Sequence, residues 1–235
     1  MYKINIESTI SGAAILAGLF SGGCEASPEK DTPKPVKPNI IYILADDLGY
    51  GDLGSYGQEN ILTPNLDRMA EEGMRFTSHY SGSTVCAPSR AVLMTGLHTG
   101  HAPIRDNKEI MPIGQYPLQY GTVTFPKILQ EAGYATGAFG KWGLGPPYSE
   151  GTPSLQGFDR FFGLLCQRRS HFFYPEFLFN VERGRPAERV YLEGNKTEDA
   201  SREGFERPGS GPPLERGKYS ADVMTDEALD FIDQN

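Results

Sequence analysis

"NIIYILADDLGYGDLG", residues 39–54, decides how the fold is read. An unbroken apolar run from Ile40 to Ala45 turns abruptly acidic at Asp46 and Asp47, then rich in glycine. A run without polar alternation predicts a strand covered on both faces, as the strands of parallel sheets are. Its end at Asp46 and Asp47 matters because open α/β sheets bind ligands outside the carboxyl ends of their strands. The next segment, "TPNLDRMAEEGMRF" (63–76), offers Thr63 as N-cap, Pro64 at the first helical position and Gly73 as terminator. Strand, glycine-rich loop and helix in that order argue for an α/β chain.

The scheme recurs downstream. "RFTSHYSGST" (75–84) predicts a second strand that delivers the chain to Cys86, after which Pro88 fits a first helical turn and "SRAVLMTG" continues it. In "TVTFPKILQEAGYATGAFGKWGLG" (122–145), Thr124 caps a helix, Gly133 stops it, and "YATGAFG" makes a strand leading to Lys141. From about Leu155 the pattern loosens into the aromatic "GFDRFFGLLCQRRSHFFYPEFLFN" (157–180) and then the polar "GNKTEDASREGFERPGSGPPLERGK" (194–218). Glycine, proline and charge make the latter read as a surface loop or small insertion. "YSADVMTDEALDFIDQN" (219–235) reads as an amphipathic helix with Ser220 as N-cap and Val223, Met224, Ala228, Phe231 and Ile232 apolar. It stops without a following strand, which raises the expectation of a truncated gene.

A net charge of −8 leaves no basic footprint, so nucleic acid is excluded as the expected partner, although a local cationic pocket remains open. Cys24, Cys86 and Cys166 are too few and scattered for a disulfide framework or a cysteine-rich zinc site. Residues 1–24, with Lys3, a short apolar region and small residues before Cys24, predict an export signal. Cys24 is a candidate lipid acceptor; ordinary cleavage without a lipid is the alternative, because Ser21 stands where an aliphatic residue is usual. Residues 25–38 form a polar, proline-rich tether and residues 39–235 the folded part. The expected location is outside the cytoplasm of a bacterium, periplasmic or anchored as an outer-membrane lipoprotein.

Adjacent carboxylates such as Asp46 and Asp47 can be a solvated loop, but at a strand end they would repel one another unless a cation lay between them. Hard oxygen donors suit Ca²⁺ or Mg²⁺. Cys86 can be a buried structural thiol. Its place between a predicted strand and a helix start, with Arg90 one turn along to grip a tetrahedral oxyanion, is that of a nucleophile. A simple cysteine enzyme also needs a histidine base, and the local sequence identifies none. His98 and His101 follow the same helix and either face substrate or cap a turn. Tyr174 and its neighbours form a sugar-stacking wall or core packing, and Cys166 reads as buried and inert.

"CAPSRAVLMTG" (86–96) resembles the signature of the type I sulfatases, Cys-x-Pro-Ser-Arg followed after four residues by Thr-Gly. "GYATGAFGKWGLG" (133–145) resembles that family's second signature, and "NIIYILADDLGYGDLG" its metal-binding first strand. The resemblance implies an alkaline-phosphatase-like three-layer α/β sandwich with a mostly parallel central sheet, here lacking its C-terminal part. It implies that Cys86 is oxidised to formylglycine by a formylglycine-generating or sulfatase-maturing enzyme. Asp46, Asp47 and the modified Cys86 would bind Ca²⁺, with Mg²⁺ less suited, while Arg90 and Lys141 would stabilise the formylglycine and the sulfate. In that chemistry one hydroxyl of the hydrated aldehyde attacks sulfur and the other expels sulfate. A metal that acidifies the diol and cations that neutralise the transferred group are physically apt. The implied activity is hydrolysis of sulfate esters, on sulfated carbohydrates or aryl sulfates. Phosphonate or phosphate ester cleavage on the same scaffold, or a non-catalytic truncated remnant, are the alternatives.

Two departures from the family pattern stand out. "GKWGLG" carries Gly143 where relatives commonly have a histidine beside the formylglycine. "SHFFYP" (170–175) resembles a histidine-bearing stretch near the substrate, which makes His171 the candidate general acid or sulfate ligand, a packed structural histidine being the other reading. The later Asp-Asn pair and lysine of the family do not occur, so the isolated chain is expected to be a poor catalyst or unstable.

Overall fold

The computed structural model describes residues 37–111, 113–202 and 205–235. The predicted export signal and Cys24 lie outside the described residues. The chain divides into two compact units, up to Met74 and from Arg75 onward.

In the first unit, helix α1 (Pro64–Glu72) starts on Pro64 and ends at Gly73, as the punctuation predicts. The Thr63 hydroxyl does not cap that helix; it accepts the Gly54 amide at 2.9 Å and donates to the Asp67 carboxylate. Asp67 also accepts the Ser55 amide at 2.6 Å, so one carboxylate ties the glycine-rich loop to the first turn of α1. The apolar run departs from expectation. Residues 37–45 lie in no strand, and Ile40, Ile41 and Ile43 are 58%, 64% and 74% exposed. A central strand is covered only by neighbours on both edges, and among the described residues up to Met74 there is no strand to pair with it.

The second unit is layered. Its sheet runs β1 (Gly137–Lys141), β2 (Arg160–Leu164), β3 (Phe177–Glu182) and β4 (Glu188–Tyr191), adjacent in that order. β1 and β2 are parallel, with Lys141 opposite Leu164; β2–β3 and β3–β4 are antiparallel. On one face Ala138, Phe161, Phe179 and Val181 pack with Ala87, Ala91 and Met94 of α2 (Cys86–Thr95) and Phe125 of α3 (Phe125–Glu131). On the other, Phe139, Phe162, Leu164 and Leu178 meet Val223 and Met224 of α4 (Ser220–Gln234). Successive strand residues serve opposite layers because side chains alternate across a sheet. The helix–sheet–helix sandwich of the expected α/β class is therefore built within this unit.

Three local expectations change. Residues 75–84 form bends, not a strand, and Phe76 and Tyr80 are exposed; with a glycine and polar residues throughout, the segment has no continuous apolar face to bury. The polar stretch 194–218 is a pair of small antiparallel ladders, β5 (Lys196–Thr197) with β8 (Pro213–Glu215) around β6 (Ala200–Arg202) with β7 (Phe205–Arg207). Ser220 begins α4 rather than capping it, because its amide and hydroxyl both donate to the Phe173 carbonyl, at 3.0 and 2.8 Å. Burial pushes the Arg169 guanidinium below its ordinary pKa, and this side chain stacks on Phe177 and donates to the Pro208 carbonyl.

Candidate active site around Cys86

Cys86 opens α2, preceded by Val85 in extended conformation, and its thiol is half-buried. Lys141 ends β1, and its Nζ stands 3.3 Å from Cys86 Sγ. Arg90, one turn into α2, donates from Nη1 to the Lys141 carbonyl at 2.5 Å. A guanidinium on the helix thus straps the end of β1 against the turn that carries the thiol. Two cations and a thiol converge where the strand ends, an arrangement that can hold a tetrahedral oxyanion.

The anion affinity expected of the helix start itself is reduced. Pro88 has no amide hydrogen, the Ser89 amide closes on the Val85 carbonyl at 3.1 Å, and the Ala87 amide donates to Asn107 Oδ1 at 2.9 Å. An anion at this turn would therefore meet the Arg90 and Lys141 side chains rather than a free set of helix amides. Asn107 escaped sequence reasoning, since it lies 20 residues downstream in a loop with no motif. Ala87 is fully buried, so removing its acceptor leaves an amide unsatisfied. Asn107→Ala is expected to cost about 1–3 kcal/mol; a urea-unfolding midpoint unchanged from wild type would contradict this role.

The chain matches the sulfatase family over residues 38–235. It belongs to that family. Arylsulfatase G of Rattus norvegicus is 41% identical over 150 residues, which cover 64% of this chain and 28% of that protein. Arylsulfatase A of Homo sapiens is 45% identical over 155 residues, again 64% of this chain and 28% of the relative. Among solved structures, one from work on the metabolism of multiple glycosaminoglycans by Bacteroides thetaiotaomicron superposes with a TM-score of 0.62 at 30% identity. It covers 84% of this chain and 48% of that one. Ps i-CgsB in complex with k-i-k-neocarrahexaose gives 0.60 at 29% identity, covering 85% of this chain and 42% of the other. This sulfatase-family chain therefore spans roughly a quarter of those curated relatives, at 28%, and less than half of those solved structures, at 48% and 42%.

The other predicted residues of the sulfatase-family chain have surroundings of their own. His171, at the end of a 3-10 turn (Arg168–His171), is exposed. His98 caps a turn, its Nδ1 accepting the Gly100 amide at 3.1 Å. Cys166 is buried, with the Gln115 amide 3.9 Å from its sulfur. Gly143 has a left-handed φ of +76°, and a Cβ there would stand 2.3–2.6 Å from the Gln167 side chain. A histidine at 143 and this glutamine would compete for the same volume.

Asp46 and Asp47 are exposed at the end of the apolar run, and Asp47 has a φ of +57°. Their oxygen donors suit Ca²⁺ in kind, but two carboxylates fall short of the six to eight oxygens it takes. Among the described residues no group of three His, Cys, Asp or Glu side chains is arranged for a metal ion.

Proposed function

We propose that this chain carries the nucleophile-bearing part of a sulfuric ester hydrolase that acts on sulfated carbohydrates. The observation that supports this reading most is the triple approach of Cys86, Lys141 and Arg90 within a sulfatase-family chain. Lys141 Nζ, 3.3 Å from the reacting side chain, is placed to hold a developing negative charge. Arg90 keeps the Lys141 backbone in place and adds a second positive charge to the cradle. Both features favour a tetrahedral anionic group such as a sulfate ester over a neutral ester.

In this reading Cys86 is matured to formylglycine, whose hydrate, formed by addition of water, would supply two hydroxyls on one carbon, one to attack sulfur and the other to release sulfate as the aldehyde re-forms. Asp46 and Asp47 would contribute two oxygens to a Ca²⁺ ion, and His171 would serve the leaving group or sulfate. Residues 1–24 would direct export, with Cys24 as lipid acceptor, and residues 39–235 would form the catalytic part. The oligosaccharide bound to Ps i-CgsB supports a carbohydrate as the alcohol half of the ester.

The test is coexpression with a formylglycine-generating enzyme, followed by peptide mass analysis and turnover of aryl sulfate and aryl phosphate in parallel. The expected results are a Cys86 peptide in which one oxygen has replaced sulfur and two hydrogens, and hydrolysis that favours the sulfate. An unmodified thiol, or preference for the phosphate, would overturn the reading.

A further inference from the structure

Cys86 is the first residue of α2, Ala87 the second and Pro88 the third. A helix leaves its first amides without partners of its own, and the residue before it ordinarily supplies a side-chain oxygen for the second or third of them. Val85 holds that place and has no such oxygen, and Pro88 has no amide hydrogen. The acceptor comes instead from Asn107, 20 residues on, whose Oδ1 takes the Ala87 amide at 2.9 Å. Asn107 is exposed, but the loop that carries it is held on both sides: Ile104 is buried in the core, and the Lys108 carbonyl accepts the Tyr116 amide at 2.8 Å.

The bond matters for Cys86 because of where it falls. A peptide unit is planar, so holding its N–H or its carbonyl holds the whole unit, and the two units that flank a residue set its φ and ψ. The unit before Cys86 is held through the Val85 carbonyl, which accepts the Ser89 amide at 3.1 Å. The unit after it is held through the Ala87 amide by Asn107. Together they fix the direction of the Cα–Cβ bond, and so the line along which the Cys86 side chain meets Lys141 Nζ, 3.3 Å from Sγ. Asn107 Oδ1 is 2.9 Å from a nitrogen two bonds away from the Cys86 Cα, which puts it within about 8 Å of Sγ by bond lengths alone. A charge at 107 would lie inside the screening length of any anion held at this turn.

We infer that Asn107 is a positioning residue for the reaction: through the Ala87 amide it sets the direction in which residue 86 presents its side chain to Lys141, and it does so with a neutral acceptor that does not repel the anion. The inference rests on the sulfate ester reading above. Aspartate would cap the helix start at least as well, because a negative charge there meets the positive end of the helix. A purely structural cap would therefore accept either residue, whereas a cap beside a bound sulfate would accept only the neutral one. Small displacements of a reacting group also cost rate where the fold survives.

The test uses the matured protein and its Asn107→Ala and Asn107→Asp variants. Thr124→Ala is the control, since it removes a buried hydrogen bond elsewhere, from the Thr124 hydroxyl to the Gln156 carbonyl at 2.7 Å. Three readouts are taken: melting temperature, kcat per folded molecule on para-nitrophenyl sulfate, and affinity for inorganic sulfate from isothermal titration. Asn107→Ala should melt lower and lose at least about tenfold in kcat, while Thr124→Ala melts lower and keeps the wild-type kcat. Asn107→Asp should melt at or above the wild-type temperature yet bind sulfate at least about threefold more weakly, a separation that a structural role would not produce. Because it keeps the cap, this variant decides the matter even where Asn107→Ala does not fold. Wild-type kcat in folded Asn107→Ala, an equal loss of kcat in Thr124→Ala, or wild-type sulfate affinity in Asn107→Asp would each overturn the inference while leaving the hydrolase reading intact. Wild-type protein that binds sulfate but turns over no ester, with binding weakened in Asn107→Asp, would fail the hydrolase reading and uphold the place of Asn107 beside the anion. Wild-type protein that neither binds sulfate nor hydrolyses the ester would overturn both.

Discussion

Cys86→Ser is expected to abolish turnover of a sulfate ester, lowering kcat by about 10³-fold or more, while leaving the fold intact. Serine retains the shape of the side chain at the first position of α2 and keeps an acceptor for Lys141 Nζ, so the Lys141–Arg90 cradle has no reason to move. What is lost is chemical. The substitution removes the thiol that cysteine-directed maturation oxidises, and a serine hydroxyl has no second hydroxyl on its carbon to expel sulfate after attack. A steady-state assay on the matured protein reads the rate, and a melting curve alongside it reads the fold. Retained turnover would sink the nucleophile assignment. Loss of turnover together with a collapse in melting temperature would instead assign Cys86 to packing. Cys86 is only half-buried, and the packing beside it is made by fully buried Ala87, so that second outcome is the less favoured on structural grounds.

How far the sequence alone could be read follows from how local each signal is. The helices are written in punctuation within a few residues: Pro64 and Gly73 bracket α1, Thr124 and Gly133 bracket α3, and the structure follows both. Cys86, Arg90 and Lys141 were found through short motifs, and the structure brings those three together. Burial is different, because it depends on what else the chain puts nearby. Ile40 to Ala45 has the composition of a central strand, but composition cannot say whether neighbouring strands are at hand to cover it, and here the run is exposed. The ladders between Lys196 and Glu215 were hidden for the opposite reason: strands of two or three residues are too short to carry an alternation. Asn107 and Gln167 were the least accessible. Each meets a partner far along the chain, Ala87 at 20 residues' separation for the one and Gly143 for the other, and amides belong to no motif. The substitution at Gly143 was visible as a gap in a pattern. What occupies the gap could be seen only once the loops after β1 and β2 lay side by side.

That alignment of loops depends on a pair of facing glycines, and Gly163→Ala is expected to be the most destabilising small substitution in the sheet. Gly140 and Gly163 face one another in the parallel β1–β2 ladder, one residue before Lys141 and Leu164. A Cβ on Gly163 would stand 2.0 Å from the Gly140 carbonyl oxygen and 2.8 Å from its carbonyl carbon and nitrogen, all backbone atoms that no rotamer change can move away. The φ of +155° at Gly163 adds strain for any L side chain. Overpacking and backbone strain together should cost at least about 3 kcal/mol, a large share of the stability of an ordinary domain. Gly184→Ala is the control, because its φ of +79° is equally unsuited to alanine but nothing lies within 4 Å of the new Cβ. It should cost only the strain, about 1 kcal/mol. Chemical denaturation of both variants separates close approach from backbone conformation, and equal losses would mean that the strands are not in the close contact described. Where Gly163→Ala does fold, the strands must part where Lys141 begins. Lys141 would then draw away from Cys86, and kcat should fall by more than the loss of folded protein explains, whereas Gly184→Ala, at the far β3–β4 turn, should leave kcat per folded molecule unchanged.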